Sequence, residues 1–349
     1  MSINSTAKKK RLSIIVPIYN VEPYLEKCLT SLLTQDIPLS DYEVVCINDG
    51  SPDNSRIIIQ KVQEEFPNVI LIDKQNEGVS RARNDGIDVA TGKYVLFIDP
   101  DDFIHHNCLR NILDNADRPD SQVSFLNFTV INEFGNTSTT YFKSEDSSRV
   151  ISGIEAYFLA RGDGLIDPDR IWGILFNTSF LNKNNLRFLP EVPFLEDGEF
   201  IARILALAEK CVFDSTPFYL RTTRLGSATN SSLLYSIEAT RGFILSAVSL
   251  KNFQLNSNLN LHQVRFLNQP IVKFVVLALS SCKRLRYFKR YQWIKRELYS
   301  NGLSRCDLNS CNKTYTRYGI AYNISPLLVP LTSLLFELTL RIRKGLSVN

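Results

Sequence analysis

The sequence lacks several of the patterns that carry common chemistries. It has no CxxC pair, no GxGxxG or GxxxxGK[ST] loop, no internal repeat and no long low-complexity segment. The missing glycine loops disfavour a dinucleotide site or a P-loop. Its seven cysteines (Cys28, Cys46, Cys108, Cys211, Cys282, Cys306 and Cys311) are scattered, odd in number and mostly set among apolar neighbours. There a free thiol acts as a small hydrophobe, so a disulfide scaffold is excluded and a reducing compartment is expected. Lys8-Lys9-Lys10-Arg11 is not followed by an apolar run, which argues against a signal peptide. Of the three histidines, His105 and His106 are adjacent and splay apart on a helix, and His262 stands alone; all three read as structural. The uncharged stretch 318–336 is interrupted by Asn323, Ser325, Pro326 and Pro330. That favours a helix lying on a membrane or packed on the body over one that spans.

What is present is an ordinary globular composition with an uneven charge. Of 349 residues, 44% are apolar and 22% charged, which excludes a disordered or collagen-like chain. This length suits about two domains and needs no metal or disulfide to hold it together. The net charge of +4 divides into −10 over residues 1–240 and +14 over residues 241–349. An acidic body with a basic tail is unlike one uniform domain, and the tail calls for an anionic surface.

Periodicity predicts alternation. Ser13 to Ile18 is a short apolar run, as a strand buried on both faces reads, and Pro23 opens a helix with a stripe of Leu25, Cys28, Leu29, Leu32 and Leu33. Strands follow at Glu43–Ile47, Val69–Ile72 and Tyr94–Ile98. A polar-faced helix is expected to about Phe66, and a second helix capped by Ser80 to about Thr91. Four strand–helix alternations imply a parallel sheet with right-handed crossovers, whose ligands bind beyond the carboxyl ends of its strands. A strand or hairpin is expected over 122–134, helical or mixed structure over 154–160 and 172–181, a strong helix from Glu196, and only helices after about 236.

Two acidic clusters fall at those carboxyl ends. Asp99-Pro100-Asp101-Asp102 sets three carboxylates within four residues, and a hard divalent cation removes their repulsion. The plainer reading is an acidic turn with a helix cap, about as frequent. Asp49 in Asp49-Gly50-Ser51 can accept from a base or a ribose, or simply form an Asx-type turn. Arg81 and Arg83 offer the planar donor fork that suits phosphate, or are solvated helix charges. Glu196-Asp197-Gly198-Glu199 reads first as favourable acids in a helix's opening turn.

Together these segments resemble a known family. Ser13-Ile14-Ile15-Val16-Pro17-Ile18-Tyr19-Asn20, Ile47-Asn48-Asp49-Gly50-Ser51, Asn76-Glu77-Gly78-Val79-Ser80-Arg81-Ala82-Arg83-Asn84 and Phe97-Ile98-Asp99-Pro100-Asp101-Asp102 stand in the order found in the family 2 glycosyltransferases. The likeness continues more weakly through Phe194-Leu195-Glu196-Asp197 to Arg221 and Gly226-Ser227, and ends near residue 235. It implies an α/β fold of the GT-A type: a mainly parallel central sheet flanked by helices, with a C-terminal helical extension. It implies an inverting enzyme that moves a sugar from a nucleotide-sugar donor, a UDP-sugar first of all, to a hydroxyl of a glycan or lipid-linked acceptor in bacterial surface-polysaccharide synthesis.

The resemblance also implies roles. Pro17, Tyr19, Asn20 and Glu22 would line the nucleoside pocket, and Asp49 would hold the base. Many relatives have Asp where this chain has Asn48, a change that removes a charge and keeps an acceptor. Arg83 would reach the nucleotide, and Arg221 or Arg224 would clamp its diphosphate or be surface charges; Asp99 would face ribose or metal, Asp101 would bind the metal, Mn²⁺ or Mg²⁺, and Asp102 would share that work or cap the helix; Asp197 would be the catalytic base. Trp172 suits an acceptor platform or the core. Alternative readings are a nucleotidyltransferase and a non-catalytic nucleotide-sugar-binding protein.

The expected organisation is a flexible basic N-terminus (1–11), a nucleotide-sugar-binding half (12–117), an acceptor half with the base (118–235) and a basic helical region (236–349). Residues 283–296 mix seven basic residues with aromatics, which suits an anionic membrane interface at the inner face of the cell membrane. A nucleic-acid partner is disfavoured by the acidic body, and an oligomer is compatible with the sequence.

Overall fold

The structure is a computed structural model and describes residues 9–131, 137–140, 149–161, 170–222, 236–282 and 288–332. Contacts divide the chain into two compact units, residues 1–190 with 207–225, and residues 191–206 with 226–349.

The first unit is built on one sheet. In chain order its elements are β1 (Leu12–Ile18), α1 (Glu22–Leu33), β2 (Tyr42–Asp49), α2 (Ser55–Glu65), β3 (Val69–Lys74), α3 (Val79–Val89), β4 (Tyr94–Phe97), β5 (Phe103–Ile104), α4 (Leu109–Asp117), β6 (Val123–Ile131), β7 (Thr137–Thr140), α5 (Gly153–Arg161), β8 (Ile174–Asn177), α6 (Thr178–Lys183) and β9 (Cys211–Thr222). Among the described residues the strand order is β3-β2-β1-β4-β8-β6-β9-β5, with β7 paired to β6. The first four strands are parallel, as the alternation predicts. Beyond β4 the sheet is mixed, because β8 runs antiparallel to both β4 and β6 while β6 and β9 are parallel. The halves expected at 12–117 and 118–235 thus both contribute strands to one sheet.

Every residue of β1 and β2 is buried, which explains their unbroken apolar runs. The α1 stripe packs inward as its spacing dictates: Leu25, Cys28, Leu29, Leu32 and Leu33 are all buried, with Pro23 in the first turn. The helix α3 departs from expectation at its start. Gly78, at φ +90°, takes the cap position, and Ser80 lies buried as the second residue of the helix. A Cβ at Gly86 would overlap the Ile15 side chain, so this glycine sets how closely α3 lies on β1.

At the amino end of the sheet, Ser13 and Glu43 face each other in register. The buried Glu43 carboxylate accepts from Ser13 Oγ (2.6 Å), Thr91 N (2.8 Å) and Thr91 Oγ1 (2.9 Å), and pairs with Lys10 (3.2 Å). Burial alone pushes this acid up, but the donors from Ser13, Thr91 and Lys10 outweigh it and hold Glu43 below its ordinary value.

The second unit contains α7 (Glu196–Leu207), α8 (Ile237–Asn256), α9 (Leu261–Ser280), α10 (Phe288–Ser300) and α11 (Lys313–Ile324). Three of its helices start with side-chain caps: Ser236 for α8, Asn312 for α11, and a reciprocal Asn260–Gln263 capping box for α9. On α10, Tyr291, Ile294 and Leu298 are buried at helical spacing. Residues 291 and 294 therefore serve packing, not the interfacial role expected of them, whereas Phe288 is 55% exposed. The helix α11 ends at Ile324, ahead of Pro326, so the uncharged stretch is not one helix. No helix among the described residues is long and apolar enough to cross a membrane. Residues 283–287 and 333–349 lie outside the described residues.

Candidate active site

Strand register gathers the predicted residues of the first unit. β1 lies between β2 and β4, with Ile18 opposite Asn48 and Ile15 opposite Phe97. The chain runs from β1 to β2 and β3 on one side, then returns to β4 on the other, so β1/β4 is the point where strand order reverses. Pro17 is buried in β1, while Tyr19 (51% exposed) and Asn20 (φ +53°) leave the strand end. Asp49 ends β2, and Asp99 follows β4 by two residues.

Asp49 is buried and already engaged. Its two oxygens accept from Glu77 N (2.9 Å) and Gly78 N (2.8 Å), so the carboxylate folds the segment before α3 back onto the end of β2. Gly50 permits that approach at φ +69°, where a Cβ would stand 2.7 Å from Asn76 N. Beside it, Asn48 donates to Asp73 (2.6 Å). Glu22 accepts from Asn54 N (2.9 Å) and Nδ2 (3.0 Å), while its own amide donates to Asp53 (2.8 Å), tying α1 to the turn after β2. The α3 helix in turn delivers Arg83, which is buried with Nη2 3.3 Å from Asp99 Oδ1 and its guanidinium 5.4 Å from the Phe188 ring.

The acidic turn is fixed from behind. Asp102 N donates to Asp99 O (3.0 Å). The buried Asp102 carboxylate accepts from Tyr219 Oη (2.7 Å), Thr222 N (2.7 Å) and Thr222 Oγ1 (3.1 Å). Thr222 Oγ1 also lies 2.8 Å from Asp101 O, and Tyr219 Oη accepts from Asp99 N (3.3 Å). Burial, then the charge of Asp99, push Asp102 up to about 7, against the pull of its Thr222 and Tyr219 donors. Among the described residues no three His, Cys, Asp or Glu side chains are grouped to enclose a cation. Asp102 serves the turn itself. Asp99 and Asp101 remain a set of hard oxygen donors at a negative locus, which fits an ion that takes one or two carboxylates and completes its shell with phosphate and water.

Next to this turn stands an aromatic group with two arginines. Trp172 stacks on Tyr219 (5.0 Å between centroids, 28° between planes) and meets Phe128 edge-on (4.9 Å). Arg221 lies 5.2 Å from the Trp172 ring centre; Arg170 lies 5.4 Å from it and 4.4 Å from that of Phe128. Arg170 is pushed down to about 10 by burial and then by the charge of Arg221. Trp172 therefore belongs to the packed wall. Arg224, Gly226 and Ser227 fall outside the described residues.

In the second unit, Asp197 is half-buried in the first turn of α7, where the helix dipole favours a negative charge. Gly198 N donates to Leu195 O (3.1 Å), with Leu195 at φ +57°. Glu199 points inward instead. It is buried, paired twice with Arg203 (2.7 Å each) and bonded by Ser249 (2.7 Å). Helical spacing separates the two acids: two residues apart, they lie on opposite faces.

Sequence reasoning missed Tyr219, Thr222 and Arg170. The first two act on Asp102 across more than a hundred residues, and Arg170 is a lone charge in sequence.

The model of the family described as "Glycosyl transferase family 2" matches residues 13–171. The minor teichoic acid biosynthesis protein GgaB of Bacillus subtilis is 31% identical over 202 residues, which are 57% of this chain and 21% of that protein. A poly(ribitol-phosphate) beta-glucosyltransferase of Bacillus spizizenii is 28% identical over 202 residues, 57% of this chain and 30% of that one. The chain thus spans less than a third of either relative. A crystal structure of Staphylococcus aureus TarS residues 1–349 superimposes with a TM-score of 0.66 at 21% identity, covering 93% of this chain and 91% of that chain; TarS has also been crystallised with UDP-GlcNAc. That likeness shows the fold, while the family match covers strands β1 to β7, the acidic turn and the Asp49 and Arg83 segments described above. Residues 13–171 thus carry the match to glycosyl transferase family 2, and the chain shares its fold with TarS.

Proposed function

We propose that this chain is an inverting glycosyltransferase that moves a sugar from a nucleotide-sugar donor, a UDP-sugar, to a hydroxyl of a bacterial surface polymer or lipid-linked glycan. The observation that carries it is the acidic turn 99–102, held by Tyr219 and Thr222 at the sheet's reversal point with Arg83 against Asp99, within the family-matched segment that also holds Asp49. The names of the relatives, which concern teichoic acid and poly(ribitol-phosphate), support a polymer acceptor.

In this reading Pro17, Tyr19, Asn20 and Glu22 shape the nucleoside pocket, and Asp49 meets the base through lone pairs left over from Glu77 and Gly78. Arg83 and Arg221 supply cationic contacts to the nucleotide. Asp99 and Asp101 hold Mn²⁺ or Mg²⁺, which when bound offsets charge on a leaving diphosphate. Asp197 takes the proton of the acceptor hydroxyl as that oxygen attacks the anomeric carbon; inversion needs one such base. Residues 12–117 serve the donor, 118–235 the acceptor and the base, and 236–349 form the basic helical region.

The same reading places the protein at the cytoplasmic face of the membrane. Lys289 and Arg296 are exposed on α10 near Phe288, and residues 241–349 carry a net charge of +14.

The test is a donor panel. Purified protein with Mn²⁺ or Mg²⁺ is given a set of nucleotide sugars, and released nucleoside diphosphate is measured. Release from a UDP-sugar supports the proposal; no release from any donor, with and without teichoic-type acceptors, rejects it.

A further inference from the structure

Arg170 and Arg221 form an arrangement that the acidic turn does not explain. Both guanidinium groups lie against the ring of Trp172, at 5.4 and 5.2 Å, so they are no farther apart than the sum of those distances. Arg170 also covers Phe128 at 4.4 Å. Its Nε is shielded from solvent and has no acceptor among the described residues. Neither arginine forms an ion pair with a carboxylate among the described residues. Two cations held close in a half-buried aromatic wall repel each other. A fold retains that cost most readily where an anion removes it, as two carboxylates are relieved by a cation. The aromatic faces offset only part of it, because cation–π contact leaves the edge donors of each guanidinium free to bind oxygen.

The geometry points to a two-arginine receptor for a tetrahedral oxyanion, a phosphate group, formed by Arg170 and Arg221 on the Trp172 platform. Guanidinium forks match phosphate oxygens in pairs, and the site lies next to Tyr219, whose hydroxyl holds the acidic turn. This rests on the glycosyltransferase reading for the ligand's source: the phosphate belongs either to the donor's diphosphate or to a phosphodiester of the acceptor. The receptor itself follows from the two arginines alone.

The sequence holds two tryptophans, so Trp293→Phe leaves Trp172 as the single reporter of its own site. In that full-length background, Trp172 emission is followed against inorganic phosphate, UDP and glycerophosphodiester, at constant ionic strength with chloride as control. The expected result is a saturable change with phosphate and none with chloride. Arg170→Met should weaken the apparent Kd at least about tenfold, as loss of a charge-assisted bidentate contact does. Arg170→Lys should retain part of the affinity, and a thermal melt establishes that each variant is folded. If UDP displaces phosphate, the donor is the source; if phosphodiester still binds at saturating UDP, the acceptor is. No saturable change, or parental affinity in folded Arg170→Met and Arg221→Met, overturns the receptor. Phosphate binding without release of nucleoside diphosphate from any donor would leave the receptor standing and remove the glycosyltransferase reading.

Discussion

Asp49 distinguishes two roles that a carboxylate at a strand end can play, and Asp49→Asn separates them. The carboxylate is 3% exposed and receives two backbone amides at 2.9 and 2.8 Å. A hydrogen bond to a charged group contributes about 1.5–3 kcal/mol net, and a buried donor left unpaired costs about 1–3 kcal/mol. Asparagine keeps one acceptor oxygen and turns its NH₂ toward the second amide, so the expected loss is about 2–4 kcal/mol. With a urea m value of about 2–3 kcal/mol/M, the midpoint should fall by about 1 M. Trp172 emission in the Trp293→Phe background reads the first unit alone, without nucleotide present. UDP affinity, measured by calorimetry, should fall as well, because the same amides position α3 and hence Arg83. An unliganded midpoint within about 0.2 M of the parent protein would refute the latch and leave Asp49 solely a reader of the base.

Four further outcomes are expected. Asp101→Ala should abolish Mn²⁺-dependent UDP binding in calorimetry without lowering the melting temperature; unchanged affinity would remove the metal assignment. Asp197→Asn should keep donor binding and reduce turnover by at least about a hundredfold, the scale of a general base, while near-parental turnover would reduce Asp197 to a helix cap. Glu43 is held below its ordinary value, so its stabilisation is present above the unfolded pKa of about 4.3 and is lost as pH falls through the lower folded value. Glu43→Gln should therefore lower stability by about 1–3 kcal/mol at pH 7 and flatten its acid dependence; an unaltered pH profile counts against the clamp. Full-length protein should float with anionic but not neutral vesicles, and Lys289→Glu with Arg296→Glu should weaken that binding; equal, negligible flotation with both vesicle types defeats the membrane reading.

Much of the parallel half of the fold is legible in sequence because it is local. A strand buried on both faces must be apolar throughout, and a helix covering it must carry a stripe, so β1, α1 and β2 declare themselves within a few residues of their bounds. The strand ends then give the place of Asp49 and Asp99. What stays hidden depends on distant partners. Asp102 looks like a third metal ligand until Tyr219 and Thr222 occupy its oxygens. Strand β5 has two residues and exists because β9 pairs with it. Ser80 has the chemistry of a cap, but the Asp49 bonds to Glu77 and Gly78 start the helix at Val79. Tyr291 and Ile294 look interfacial among basic residues, and only the packed helix shows them turned inward.

The stacked pair of Trp172 and Tyr219 has an electrical consequence. One ring carries two guanidinium groups; the hydroxyl of the other is bonded to Asp102, which lies in one turn with Asp99 and Asp101. Arg170 and Arg221 are thus separated from the acidic turn by two stacked aromatic side chains, and although Arg83 offsets part of the Asp99 charge, the two arginines do not neutralise the acids by direct pairing. The arrangement amounts to a built-in dipole, positive toward Arg170 and Arg221 and negative toward Asp99 and Asp101. A ligand that is itself a dipole, with a cation at one end and phosphate oxygens at the other, experiences a torque in that field before any contact forms. Reversing the ligand end for end would set like charges against each other at both ends. Orientation of the bound group is therefore a property of the wall as well as of the pocket that receives it.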